Sequence, residues 1–225
     1  MCSARLLSPS ICLLVAGSLL PLVALGQSSW YLGANAGQST IKASSGEVES
    51  GFLVDDAFTA SGTTLDKKDT AWKLYAGYRF NPILAAEGGY VDLGKASFNT
   101  TIVGAPAGTT PAPPFPIHAT ATARGVFLSA LAQWPVTQAF SVFVKAGALR
   151  SEAEFTEVIT TTGVARVTRT ERRTSANYGL GLQWAFTERL SARLELERFN
   201  KVGRGIGGRE GRDVDFASAG IMVQF

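Results

Sequence analysis

Four charged side chains stand in the middle of otherwise alternating stretches: Glu87, Lys145, Arg193 and Glu195. A charge taken out of water in such a setting must find a partner, so the chemistry these residues point to is ion pairing in a confined space. Glu87 lies five residues beyond Pro82, and Arg193 five beyond Glu188. Lys145 and Glu195 each lie seven beyond Gln138 and Glu188. If those breaks are turns at one end of a sheet, the first two share one height and the second two sit about one layer higher. An ion pair at 4 Å is worth about 4 kcal/mol of Coulomb energy at an effective dielectric near 20, before desolvation is subtracted. Glu87 and Arg193 are therefore the candidate central pair, flanked by Lys145 and Glu195. Four separately hydrated charges are the plainer alternative.

Hydrolytic chemistry is poorly provided for. A general base beside a nucleophile is the usual requirement, and the single histidine, His118, stands at the end of a proline-rich run. Asp55 and Asp56 are adjacent, so in an extended chain they point to opposite faces. The run Gly203 to Gly211 (GRGIGGREG) is glycine-rich but lacks the strand-then-helix setting of a phosphate loop. Its Arg204 and Arg209, with Arg212, are candidates for contacts to lipopolysaccharide phosphates. No catalytic residue, metal or cofactor is expected. A formal charge of +3, with arginines set among acids, does not suggest nucleic acid.

The elements that would position these charges are strands. In the last stretch, DVDFASAGIMVQF, Ala217, Ala219, Ile221, Val223 and Phe225 fall on one face, and Phe216, Ser218, Gly220, Met222 and Gln224 on the other. The same period of two recurs over 30–38, 70–80, 83–93, 121–134, 140–150, 178–186 and 190–197. That makes eight strands of about ten residues. Short turns at Asn81-Pro82, 135–138 and Thr187-Glu188 alternate with long connections at 39–69, 94–119, 152–173 and 201–212. The second long connection holds APAGTTPAPPFPIH, which should not pair as a central strand. The third has enough Thr and Val to extend its flanking strands as a hairpin.

The chain opens on a leader. Arg5 precedes the apolar run from Ile11 to Leu25, and Ala24-Leu25-Gly26 sets small residues before Gln27. Residues 1–26 are expected to be removed as a secretory signal rather than kept as an anchor helix. Cys2 and Cys12 leave with them, so the remaining chain carries no disulfide framework. Beyond the leader no run of 18 apolar residues is long enough for a membrane helix.

Alternation alone does not say which face is wet. A soluble barrel would turn the apolar face inward. Here the other face carries the mid-strand charges and many glycines, which suits a narrow interior. The apolar face carries Trp30, Phe80, Trp134, Phe140, Trp184 and Phe186 near the short turns, as in an interfacial girdle. The apolar face should therefore meet lipid.

The segments WYLGANAGQS, LYAGYRFNPILAAEGGYVDLG, GVFLSALAQWPVTQAFSVFVKAGALR, YGLGLQWAFTERLSARLELERFNKVG and SAGIMVQF resemble the OmpA-like family of outer-membrane β-barrels. The units GYRFNPILAAEGGYVDLG and RLELERFNKVG are the more specific. The resemblance implies an all-β fold: an eight-stranded antiparallel up-and-down transmembrane barrel over 27–225, with short periplasmic turns and long extracellular loops. It implies location in the outer membrane of a Gram-negative cell. Glu87 and Arg193 fall where the family places a lumenal acid and base, while Leu131 and Gln183 occupy two further positions that are charged in the family. A terminal Phe, here Phe225, is the family's usual signal to the outer-membrane assembly machinery. The family often adds a peptidoglycan-binding domain; the sequence ends at Phe225, and that activity is not carried over. The function implied is a structural, surface-interaction barrel with a charge-plugged lumen. A narrow or gated pore is the alternative, and a barrel enzyme acting on lipid or peptide ranks third. What the outer loops bind is not readable.

Overall fold

The computed structural model describes residues 29–43, 58–104, 112–160, 164–204 and 210–225. The expected signal segment 1–26 and the pair Asp55-Asp56 lie outside the described residues. The strands are β1 (Trp30–Ile41), β2 (Phe58–Asp66), β3 (Lys68–Arg79), β4 (Leu84–Gly104), β5 (Ala112–Pro135), β6 (Phe140–Thr160), β7 (Val164–Ala185), β8 (Leu190–Arg204) and β9 (Glu210–Gln224). Every pairing is antiparallel, and β1 closes on β9 with Ala34 opposite Ile221. β2 and β3 run in line along β4, with Asp66 opposite Ser97 and Trp72 opposite Asp92, so the nine strands make eight staves.

The three short turns share one design. The amides of Phe80, Val136 and Phe186 donate to the carbonyls of Leu84, Phe140 and Leu190 at 2.8–2.9 Å. The second residue of each turn then uses its side chain as an acceptor. Asn81 Oδ1 receives the amide of Leu84 at 2.7 Å, and Thr137 and Thr187 Oγ1 receive those of Phe140 and Leu190 at 3.0 Å. Asn and Thr are placed here because a short polar side chain can replace a backbone acceptor. Asn81→Ala is expected to cost about 1 kcal/mol, read as a lower urea midpoint in lipid vesicles with an unchanged m-value.

Side chains alternate across the wall as period two requires. Leu32, Leu74, Leu128, Leu180, Leu194, Leu196 and Ile221 are each more than half exposed on the outer surface. From Val126 to Trp134 the outward band covers eight steps, roughly 27 Å along a tilted strand. At its lower edge Trp30 packs edge-on against Tyr78 at 5.0 Å, and Trp184 stacks on Phe186 at 6.0 Å.

Except for β2 the strands are longer than the expected ten residues, reaching 24 in β5. Above the band the alternation continues with its sense reversed. Leu149, Phe199 and Phe216 are buried inside the barrel, while their neighbours Arg150, Arg198 and Asp215 face out. This part of the wall is thus built like a water-soluble sheet, apolar within and charged without. The segment 152–173 forms the expected hairpin, with Thr160 opposite Val164. The proline-rich segment does not pair as a central strand, as expected, but it is not a connection either: β5 begins at Ala112 and pairs with β4, Pro116 lying opposite Thr101. Among the described residues, pairing with β6 begins only at Ile117. Pro113, Pro114 and Pro116 therefore sit where β5 is paired on one edge only among the described residues, the place a strand tolerates a residue without an amide. In the fourth connection, β8 and β9 remain paired as far as Arg204 opposite Glu210.

Candidate functional site

The inner face of the membrane-spanning staves carries Lys73 on β3, Glu87 on β4, Lys145 on β6, and Arg193, Glu195 and Glu197 on β8. All six are at most 4% exposed, and three cations against three carboxylates leave no net charge. Small residues on the facing staves make the room. Tyr31 lies over Gly77 and Tyr75 over Gly33, each pair being register neighbours on β1 and β3, and a Cβ on either glycine would collide with the ring.

The cluster has two tiers. In the lower one, Arg193 Nη1 pairs with Glu87 Oε1, which also accepts the Tyr31 hydroxyl at 3.0 Å. The guanidinium lies 4.2 Å from the Phe143 ring centre and 5.2 Å from that of Tyr75. A planar cation between aromatic faces loses less on leaving water than a bare charge would. In the upper tier, Lys73 pairs with Glu195 and reaches Glu197 at 2.9 Å. Lys145 lies 3.0 Å from Glu195 and 2.6 Å from Glu197. Asn177 Nδ2 donates to Glu197 at 2.8 Å and to Ser129 Oγ at 2.9 Å. Arg193 Nε, 3.1 Å from Glu195 Oε1, ties the tiers together.

The four charges singled out from sequence thus stand in one cluster: Glu87 with Arg193, and Lys145 with Glu195. Lys73 and Glu197 belong to it equally. Strand parity gives both an inward direction, but counting residues from the turns does not give their height. Strands of a closed barrel are staggered, so equal counts on distant staves are not equal levels, and long side chains bridge the remainder. Leu131 and Gln183 are buried in the same lumen and offer Arg193 no charge.

The other candidates lie elsewhere. Phe225 is 58% exposed at the short-turn end, its amide donating to the Trp30 carbonyl at 3.1 Å. Arg204 ends β8. Arg212 stands opposite Val202 and shares the inward parity of Val214 and Phe216 on β9. Arg209 lies outside the described residues. His118 is exposed near the top of β5, its ring contacting Asn99. No group of three or more metal-ligating side chains occurs among the described residues.

Beyond the upper tier the bore becomes apolar. Ala71, Val91, Leu93, Leu149, Phe199, Val202, Val214 and Phe216 form one buried cluster with the lumenal aromatic rings. Strand order puts this layer on the long-loop side of the charges on β3, β4, β6 and β8 alike.

An eight-stave closed sheet with an apolar outer band, an aromatic lower girdle and charges within is an outer-membrane β-barrel. A model of the OmpA-like transmembrane domain matches residues 26–225, and the chain belongs to that family. It is similar to outer membrane protein A of Klebsiella pneumoniae, 25% identical over 199 residues, covering 88% of this chain and 51% of that protein. The chain therefore spans about half the length of the curated relative it matches. Among solved structures it is similar to Ail, the attachment invasion locus protein of Yersinia pestis, at 16% identity over 87% of this chain and 98% of that one, with a TM-score of 0.45. OprG from Pseudomonas aeruginosa is 13% identical over 88% of this chain and 97% of that one, with a TM-score of 0.46. The outer-membrane protease OmpT from Escherichia coli is 10% identical over 90% and 99% of the two chains, with a TM-score of 0.47.

Proposed function

We propose that the chain is an outer-membrane scaffold that presents its extracellular hairpins to ligands outside the cell and keeps its lumen closed to solutes. One observation carries this reading: two unlike fillings are stacked along one bore, the ion cluster around Arg193 and the apolar layer of Leu149, Phe199 and Phe216 beyond it. An eight-stranded interior has room for side chains and little else. A solute would have to part both layers, one held by charge and the other by apolar burial, so the pore reading ranks second. The enzyme reading gains nothing from His118, whose contact Asn99 is an amide that neither takes a proton nor attacks as a nucleophile. Partners that fit the scaffold reading are outer-membrane lipids including lipopolysaccharide, the assembly machinery that inserts the barrel, and a ligand at the hairpins of β4–β5 and β6–β7.

Vesicle swelling tests the closed lumen. Liposomes carrying the refolded protein should swell in an isosmotic solution of a small sugar no faster than protein-free liposomes. Swelling that rises in proportion to the protein content would favour the pore instead.

A further inference from the structure

The outer surface just above the apolar band carries a cleft of about 230 Å³ between β4 and β7, with Tyr90 and Val126 on its membrane side. Arg124, Glu152 and Arg172 are register neighbours on β5, β6 and β7. Arg172 Nε donates to Glu152 Oε2 at 2.9 Å, and Arg124 Nη2 lies 3.5 Å from Oε1. The Arg150 side chain, two residues nearer the band, has no ion-pair or hydrogen-bond partner among the described residues. Three guanidinium groups against two carboxylates, Glu152 in the cleft and Asp92 at its edge, leave a local charge of +1. Asp92, beside Arg124 on β4, accepts the Gly94 amide at 2.9 Å.

A second triad on the barrel makes the comparison. There Asp215 lies between Arg198 and Lys42, taking Arg198 through Nε at 2.5 Å and Nη2 at 2.8 Å, and Lys42 at 3.2 Å. Its guanidinium fork is spent on the carboxylate. In the β5–β7 cleft Arg172 commits its Nε to Glu152, and Arg150 commits nothing, so donors remain for an outside acceptor. The hydrogen bond from Arg172, and then its charge, hold the Glu152 carboxyl below the usual carboxylate range, which keeps the tether ionised.

We propose that this cleft binds a phosphate of outer-leaflet lipopolysaccharide, whose acyl chains lie on Val126 and Leu128 of the band below. Arginine forks suit phosphate oxygens, and the site opens to the side of the barrel, at the level where a lipid headgroup stands. The inference rests on the outer-membrane location and not on the closed lumen.

The test uses the full chain refolded in detergent, with lipid binding read by native mass spectrometry. The probes are bisphosphorylated lipid A, the same lipid A stripped of phosphate, phosphatidylglycerol and inorganic phosphate. Bisphosphorylated lipid A should bind best, and Arg150→Gln/Arg172→Gln should weaken it by about ten-fold or more, the loss of one or two charge-assisted hydrogen bonds. Arg198→Gln should leave binding unchanged, and Arg150→Gln, which breaks no contact within the chain, should weaken it without altering the fold. Equal binding by phosphate-free lipid A or phosphatidylglycerol, unchanged binding by Arg150→Gln, or full competition by inorganic phosphate would each overturn the proposal.

Discussion

Arg193→Gln is expected to lower the stability of the barrel by about 3–5 kcal/mol, the usual cost of leaving a buried charge without its partner. Arg193 is 1% exposed and is the cation paired with Glu87, so its removal leaves that buried carboxylate with the Tyr31 hydroxyl alone, while Glu195 keeps Lys73 and Lys145. Glu87→Gln should cost less, because Arg193 keeps Glu195 and its two aromatic neighbours. The exchanged double variant Glu87→Arg/Arg193→Glu restores one pair but sets a carboxylate beside Glu195 where a cation stood, so it should recover only part of the loss. Urea unfolding in lipid vesicles measures all three. Additive losses in the double variant would mean that the two residues act independently.

The second large effect is expected in the apolar layer. Phe199 and Phe216 stand on adjacent staves, fully buried, with no polar role to confuse the result. Truncating a buried Phe to Ala typically costs about 3–5 kcal/mol through lost burial and the cavity left behind. Each single variant should therefore lose about that much stability while the ion cluster below stays intact. The wall also limits collapse, since the strands are fixed by their ladders, so the space should persist rather than close. A loss under about 1 kcal/mol in both would show that the layer is loosely packed.

Much of this was legible in the sequence because a barrel wall makes each residue choose between two sides. Alternation in LYAGYRF or GIMVQF fixes direction residue by residue, and NPIL, TQAF and TERL mark the turns through side chains that cap them. Legibility fades where the environment changes. In GALRSEAEF the apolar set moves from the outside to the inside between Ala148 and Leu149, as lipid gives way to water. The apolar face stops there as a signal, and only the Thr and Val content of 152–173 points to the strand that continues to Thr160. The prolines of β5 mislead for a related reason, since only a paired edge excludes them. Within the site, Glu87, Arg193, Lys145 and Glu195 stand out as charges in mid-strand, whereas the parts played by Lys73, Glu197 and Tyr31 depend on stave order and stagger, which no single segment encodes.

Closure of the lumen by two layers in series is tested most directly by planar-bilayer conductance of four proteins: wild type, Arg193→Gln, Phe199→Ala/Phe216→Ala, and the variant combining all three changes. Wild type is expected to give no steady channels, the variants with one layer opened at most brief events, and only the combined variant sustained conductance. Sustained channels from wild type, or from Arg193→Gln alone, would contradict closure by two layers.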